Sequence, residues 1–197
     1  MRSTTIHCCL FDGADELDVL GPYEVFSCAQ RSGAPIEPTL VGLDSTAPIR
    51  ANHGTTIEPQ ATLGTPDVVV VPGGGWSDEK GGVRVQVEDG ALSDRLVQLH
   101  EEETVIASVC TGAMVLAHAG LLDGKAATTH DTAKEDLEAF EAVTVSDDRY
   151  VDAGDVLTAG GVTSGIDLAL HLTERLGDET TAETVASEIA HERARSV

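Results

Sequence analysis

Val105-Ile106-Ala107-Ser108-Val109-Cys110-Thr111-Gly112-Ala113-Met114-Val115-Leu116-Ala117 joins two apolar runs through a cysteine and a turn of small residues. The first run is short and rich in β-branched residues, which predicts a buried strand. The second, through Ala119, has the length and the Ala, Met and Leu content of a helix, and Gly120 suits its end. Cys110 therefore falls where a strand turns directly into a helix. Hydrolases expose a serine nucleophile on such an elbow. The positive end of the helix favours a thiolate there, and the free N–H groups of Thr111 and Gly112 can donate to a developing anion. The plainer reading of Cys110 is a packed, inert thiol.

Outward from this corner the chain alternates strands and helices. Strands are expected over 4–11, 36–43, 67–71, 126–129, 143–145, 149–151 and 156–158. Helices are expected from Pro22 to about Gln30, about Gly90 to Glu102, Thr132 to Phe140, about Val162 to Leu176 and about Glu179 to Arg193. Asn52-His53-Gly54 signals a hairpin within 48–57. The Val run at 67–71 reads as a central parallel strand buried on both faces. This alternation predicts one α/β domain, 1–197, with a largely parallel sheet. Active sites of such sheets lie beyond the carboxyl ends of the strands. Three features fall at that edge: the acidic loop 12–18, the turn Gly73-Gly74-Gly75, and Cys110.

Composition narrows the function classes. The chain has 34 acidic and 12 basic residues, a formal net charge of −22 and three lysines. Nucleic acid is an improbable partner for it, because phosphate binding needs a basic patch. An acidic surface over a folded core suits a high-salt cytoplasm, where screening relieves self-repulsion. No apolar run reaches membrane-spanning length, and the start lacks a signal peptide's apolar region, so a cytoplasmic protein is expected. Cys8, Cys9 and Cys28 read as buried hydrophobes, and the cysteine spacings hold no metal motif.

Several residues compete for roles around Cys110. Asp18 stands apart from Asp12, Asp15 and Glu16 by its apolar frame of Leu17, Val19 and Leu20; Glu24 is the rival carboxylate, and solvated surface is the plainer reading of each. Gly73 and Gly74 serve either a tight turn or a close approach of an N–H to substrate as an oxyanion donor. No Gly-Lys-Ser/Thr follows, so this is not a phosphate loop. His130 is a base for Cys110, oriented by Asp131, or else a loop histidine beside a surface carboxylate.

The segments 17–26, 71–74, 108–113, 127–130 and 159–167 (Leu-Asp-Val-Leu-Gly-Pro-Tyr-Glu-Val-Phe, Val-Pro-Gly-Gly, Ser-Val-Cys-Thr-Gly-Ala, Ala-Thr-Thr-His and Ala-Gly-Gly-Val-Thr-Ser-Gly-Ile-Asp) together resemble the ThiJ/PfpI superfamily of glutamine-amidotransferase-like folds. Within it the sequence looks most similar to isonitrile hydratases and to the sensory domains of AraC-type regulators. Those regulators continue into a DNA-binding region, which is not expected within this length. The resemblance implies a flavodoxin-like three-layer sandwich, a homodimer and a cofactor-independent cysteine nucleophile. By motif position it places the nucleophile at Cys110, its acidic partner at Asp18, and the oxyanion contact at Gly74 and the Thr111 backbone. Thr111 stands where the protease-like branch has histidine. Asp131 stands where the hydratases usually have an aromatic residue. The activity implied is hydration of an isocyanide to an N-substituted formamide. Alternatives are glyoxalase or deglycase chemistry on 2-oxoaldehydes, and a non-catalytic sensor of oxidants or metabolites.

Overall fold

The computed structural model describes residues 2–77 and 81–194. In chain order these form β1 (Thr4–Leu10), α1 (Glu16–Arg31), β2 (Ile36–Gly42), β3 (Ile49–Arg50), β4 (Thr56–Ile57), β5 (Ala61–Thr62), β6 (Val68–Val71), α2 (Gly82–Asp89) and α3 (Ala91–Glu101). Then come β7 (Val105–Val109), a 3-10 turn (Cys110–Gly112), α4 (Ala113–His118), β8 (Ala126–Ala127), a second 3-10 turn (Asp131–Ala133) and α5 (Lys134–Glu138). β9 (Thr144–Val145), β10 (Tyr150–Asp152), β11 (Val156–Ala159), α6 (Ser164–Leu176) and α7 (Glu179–Glu188) complete the fold.

Seven strands make the main sheet in the order β10-β11-β7-β6-β1-β2-β5. Every pairing is parallel except β10 with β11. Without the two edge strands β5 and β10, the order is that of a flavodoxin-like doubly wound sheet. The valines of β6 lie between β1 and β7 and are all buried, which is why that run does not alternate with polar residues. Helices α1, α6 and α7 pack together, as do α2, α3 and α4, so the sheet is the middle of three layers. The expected hairpin is present as β3 paired antiparallel with β4.

Three local expectations are corrected. The first helix starts at Glu16, not Pro22, so Asp18 lies in its first turn and not in a loop. Asp15 caps it, its carboxylate accepting the Leu17 N–H at 3.1 Å. Pro22 sits inside the helix, where burial of the surrounding turn outweighs the one lost backbone bond. The helix α2 was not among the expected elements, which placed the next helix after the Gly73-Gly74-Gly75 turn at about Gly90. Lastly, the elbow is a 3-10 turn followed by only six α-helical residues, not one continuous helix.

Candidate active site at the Cys110 elbow

β7 runs extended through Val109, and at Cys110 the chain reverses into the 3-10 turn. This forces Cys110 to φ +57°, a left-handed conformation that costs a non-glycine residue about 1–3 kcal/mol. Contacts from other elements hold it. Thr129 Oγ1 donates to the Cys110 carbonyl at 2.9 Å inside the protein. The loop after β6 presses against the elbow so closely that a Cβ on Gly73 would lie 2.6 Å from Thr111 N and 2.8 Å from Cys110 Cβ. Glycine at position 73 is a steric requirement of the site.

Asp18 is fully buried behind the thiol. Its Oδ2 accepts the Gly73 N–H at 3.1 Å, while its Oδ1 is buried without a hydrogen-bond partner among the described residues, and the carboxylate and the Cys110 thiol are close enough to act on each other electrostatically. Burial first, and the charge of Asp15 second, push the Asp18 carboxyl up to about 7; the thiol and the Gly73 N–H pull the other way. The Cys110 thiol is itself pushed up, by burial first and then by the Asp18 charge, while the Thr111 N–H lowers it. A thiolate favoured by the helix end is therefore not the resting state. The following α4 is short, and desolvation beside a carboxylate outweighs its dipole. The carboxylate raises the thiol's tendency to stay protonated while the thiol lowers that of the carboxyl, so the two titrate as a coupled pair.

In front of the thiol lies a cavity of about 300 Å³. Its lining includes Cys110, Thr111, Gly74, His130, Asp15 and Trp76, but not Asp18. Gly74 borders it, yet its N–H donates to Thr111 Oγ1 at 3.0 Å. The oxyanion donor expected at Gly74 is thus already engaged, as is the N–H of Gly73. The Thr111 N–H faces the sulfur. His130 shares the cavity, but its Nδ1 accepts from the Thr132 N–H at 3.3 Å and pairs with the Thr132 hydroxyl at 2.9 Å. Asp131 does not orient it: the Asp131 carboxylate is exposed and pairs with Lys134 at 3.0 Å. No Cys-His-Asp triad forms. Glu24 is exposed and lines a separate apolar groove beside α1, which leaves Asp18 as the carboxylate at the sulfur.

The sequence reading passed over Asp15, Trp76 and Thr129. Asp15-Glu16-Leu17-Asp18 has the spacing of a capping box, a signal that places a helix start at Asp15. Trp76 forms a cavity wall; its Nε1–H donates to Asp136 at 2.6 Å, and Arg84 stacks over its ring at 4.2 Å. Thr129 had no local signal, because its role is a contact with a residue on another element. Among the described residues, Asp15, Glu16 and His53 alone bring ligand atoms close enough for a metal, within 4.8 Å of one another. The Glu16 carboxylate already accepts from the His53 and Thr55 N–H groups.

A strained cysteine after a central strand, backed by a buried carboxylate on the first helix, defines a class of cysteine-elbow α/β domains. The chain belongs to the DJ-1/PfpI family, whose model matches residues 4–175. It is 35% identical over 185 residues to the isonitrile hydratase of Pseudomonas putida, covering 92% of this chain and 76% of that protein. The crystal structure of Drosophila melanogaster DJ-1beta superposes with a TM-score of 0.84 at 25% identity, covering 97% of this chain and all of that one. An AraC family transcriptional regulator from Pseudomonas putida superposes with a TM-score of 0.79 over 94% of this chain and 99% of that one. At 18% identity, that last likeness is one of fold.

Proposed function

We propose that the protein is a cysteine enzyme that hydrates a small isocyanide to an N-substituted formamide. The observation that carries this reading is a buried, protonatable Asp18 next to Cys110, whose side of the elbow lines a cavity of about 300 Å³. The similarity to an isonitrile hydratase supports the substrate class.

In this reaction the Cys110 proton passes to Asp18, and the thiolate adds to the terminal isocyanide carbon, forming an S–C bond. Asp18 returns the proton to that carbon, giving a thioimidate. Water then adds across the C=N bond, Asp18 accepting and redelivering its proton, and the C–S bond breaks. The formamide leaves, and the thiol is restored. Nothing is oxidised or reduced relative to the sum of isocyanide and water. The buried carboxyl suits both directions of transfer because its pKa lies near neutrality. The homodimer implied by the resemblance belongs to the same proposal.

The test is formamide production from benzyl isocyanide, followed by chromatography. Cys110→Ala is expected to abolish turnover, and Asp18→Asn to lower it by about 100-fold or more. Full activity in the Cys110→Ala protein would dispose of the mechanism. Consumption of methylglyoxal with no isocyanide turnover would favour 2-oxoaldehyde chemistry on the same thiol. Selective peroxide oxidation of Cys110, with neither substrate consumed, would favour a sensor.

A further inference from the structure

The cavity in front of Cys110 carries a charge that the chemistry above does not use. Asp15 lines it, with its side chain 14% exposed. Two contacts hold the carboxylate in place: the Leu17 N–H at 3.1 Å, and His53 Nε2 at 3.2 Å. Among the described residues no lysine or arginine lines this cavity. Arg84 is spent on the Trp76 ring and carbonyl, and Arg50 lines a neighbouring cleft. The rest of the lining, which includes Asn52, Ser77, Thr111, Thr132 and His130, supplies no fixed positive charge. The negative charge of Asp15 also reaches the reacting pair, acting on both Asp18 and Cys110. An electrophile entering the cavity therefore meets a carboxylate with no cation to offset it at the wall. In a partly desolvated space such a charge acts on a ligand more strongly than in bulk water.

We propose that Asp15 is a specificity-determining residue that makes the Cys110 cavity selective for uncharged or cationic electrophiles and turns away those bearing a carboxylate. This rests on Cys110 being the group that meets the electrophile, but not on which electrophile is natural. It excludes 2-oxo acids and isocyano acids as substrates, and admits neutral isocyanides and aldehydes.

Two alkylating agents of similar size separate charge from chemistry. Iodoacetamide and iodoacetate both alkylate a thiolate, forming an S–C bond as iodide leaves; only iodoacetate is anionic. Cys110 lines the cavity whereas Cys8, Cys9 and Cys28 are packed in the core, and peptide mapping reads the label at Cys110 separately from the other three. Rates are read by mass spectrometry at pH 8 and low salt, with 2-mercaptoethanol as the reference thiol. The preference of Cys110 for iodoacetamide is expected to exceed that of the reference by about tenfold. Asp15→Asn keeps a good helix cap and is expected to remove most of this excess; Asp15→Glu is expected to keep it. Turnover of methyl isocyanoacetate against isocyanoacetate is expected to follow the same order. A preference equal to the reference in the wild type, or one unchanged in Asp15→Asn, overturns the proposal. Failure of iodoacetamide to label Cys110 overturns the nucleophile reading and the proposal with it. If labelling shows the preference but no isocyanide is turned over, only the hydratase reading falls.

Discussion

Asp18 shows how much of the site's chemistry depends on one side chain's surroundings. An ordinary carboxyl is ionised at neutral pH, whereas this one is held up to about 7 by burial and by the charge of Asp15. The linkage has a definite sign. Between about pH 4 and pH 7 the folded state holds a proton on Asp18 that the unfolded chain has released, so Asp18 makes the fold less stable as pH rises through that window. Above it the penalty is full; below it the two states are equally protonated and the penalty vanishes. Asp18→Asn, which keeps an acceptor for the Gly73 N–H, is therefore expected to stabilise the protein at pH 8 by roughly 4 kcal/mol. The gain should shrink toward zero as pH falls to about 4, as read by thermal unfolding across pH. A variant no more stable than wild type at pH 8 would show that the carboxylate is not penalised by its burial. The same residue is expected to lower turnover on substitution, so stability and activity move in opposite directions here.

At the scale of elements, the elbow is a strained turn kept in place by two neighbours that are remote in sequence. The loop after β6 supplies the glycine that lets the chains meet, and the segment after β8 supplies Thr129. Thr129→Val keeps the volume but removes the hydroxyl from the buried Cys110 carbonyl. The expected cost is about 1–3 kcal/mol of stability, with slower iodoacetamide labelling of Cys110, and Thr129→Ser is expected to restore both. Labelling unchanged in the valine variant would show that the left-handed turn holds without this bond. The elbow itself was legible because strand, cysteine and helix are contiguous, so local propensity is enough to find it. The start of α1 lies upstream of Pro22, because a proline inside a buried helix carries the same local signal as a first-turn proline. The Asp15-x-x-Asp18 cap was a competing signal of the same local kind. No local pattern shows that Thr129 bonds the Cys110 carbonyl, or that the Gly73 and Gly74 N–H groups are already taken.

For the whole molecule the governing quantity is a net charge of −22. The few cations are largely committed: Arg149 to Asp167, Lys134 to Asp131 and Asp147, Lys125 to Asp155, and Arg175 to Asp152. The acidic excess is left to repel itself across the surface. Raising KCl from 0.1 M to 2 M is expected to increase the midpoint of thermal unfolding by about 5–10 °C, since screening acts on exposed charges first. A midpoint independent of salt would remove the argument for a high-salt cytoplasm. Among the described residues no helix is long and apolar enough to cross a membrane.

The alternation of strands and helices, the cysteine elbow and the acidic surface were determined by the sequence alone, because periodicity, turn residues and charge are properties of short stretches. The desolvation of the Asp18 carboxyl, the engagement of the Gly74 N–H by Thr111, and the turning of His130 toward Thr132 were decided only by tertiary structure. Those outcomes depend on desolvation and on hydrogen bonds among residues 15–18, 73–74, 110–111 and 129–132. These segments are distant along the chain, and they meet only because parallel strands carry their carboxyl ends to one edge of the sheet.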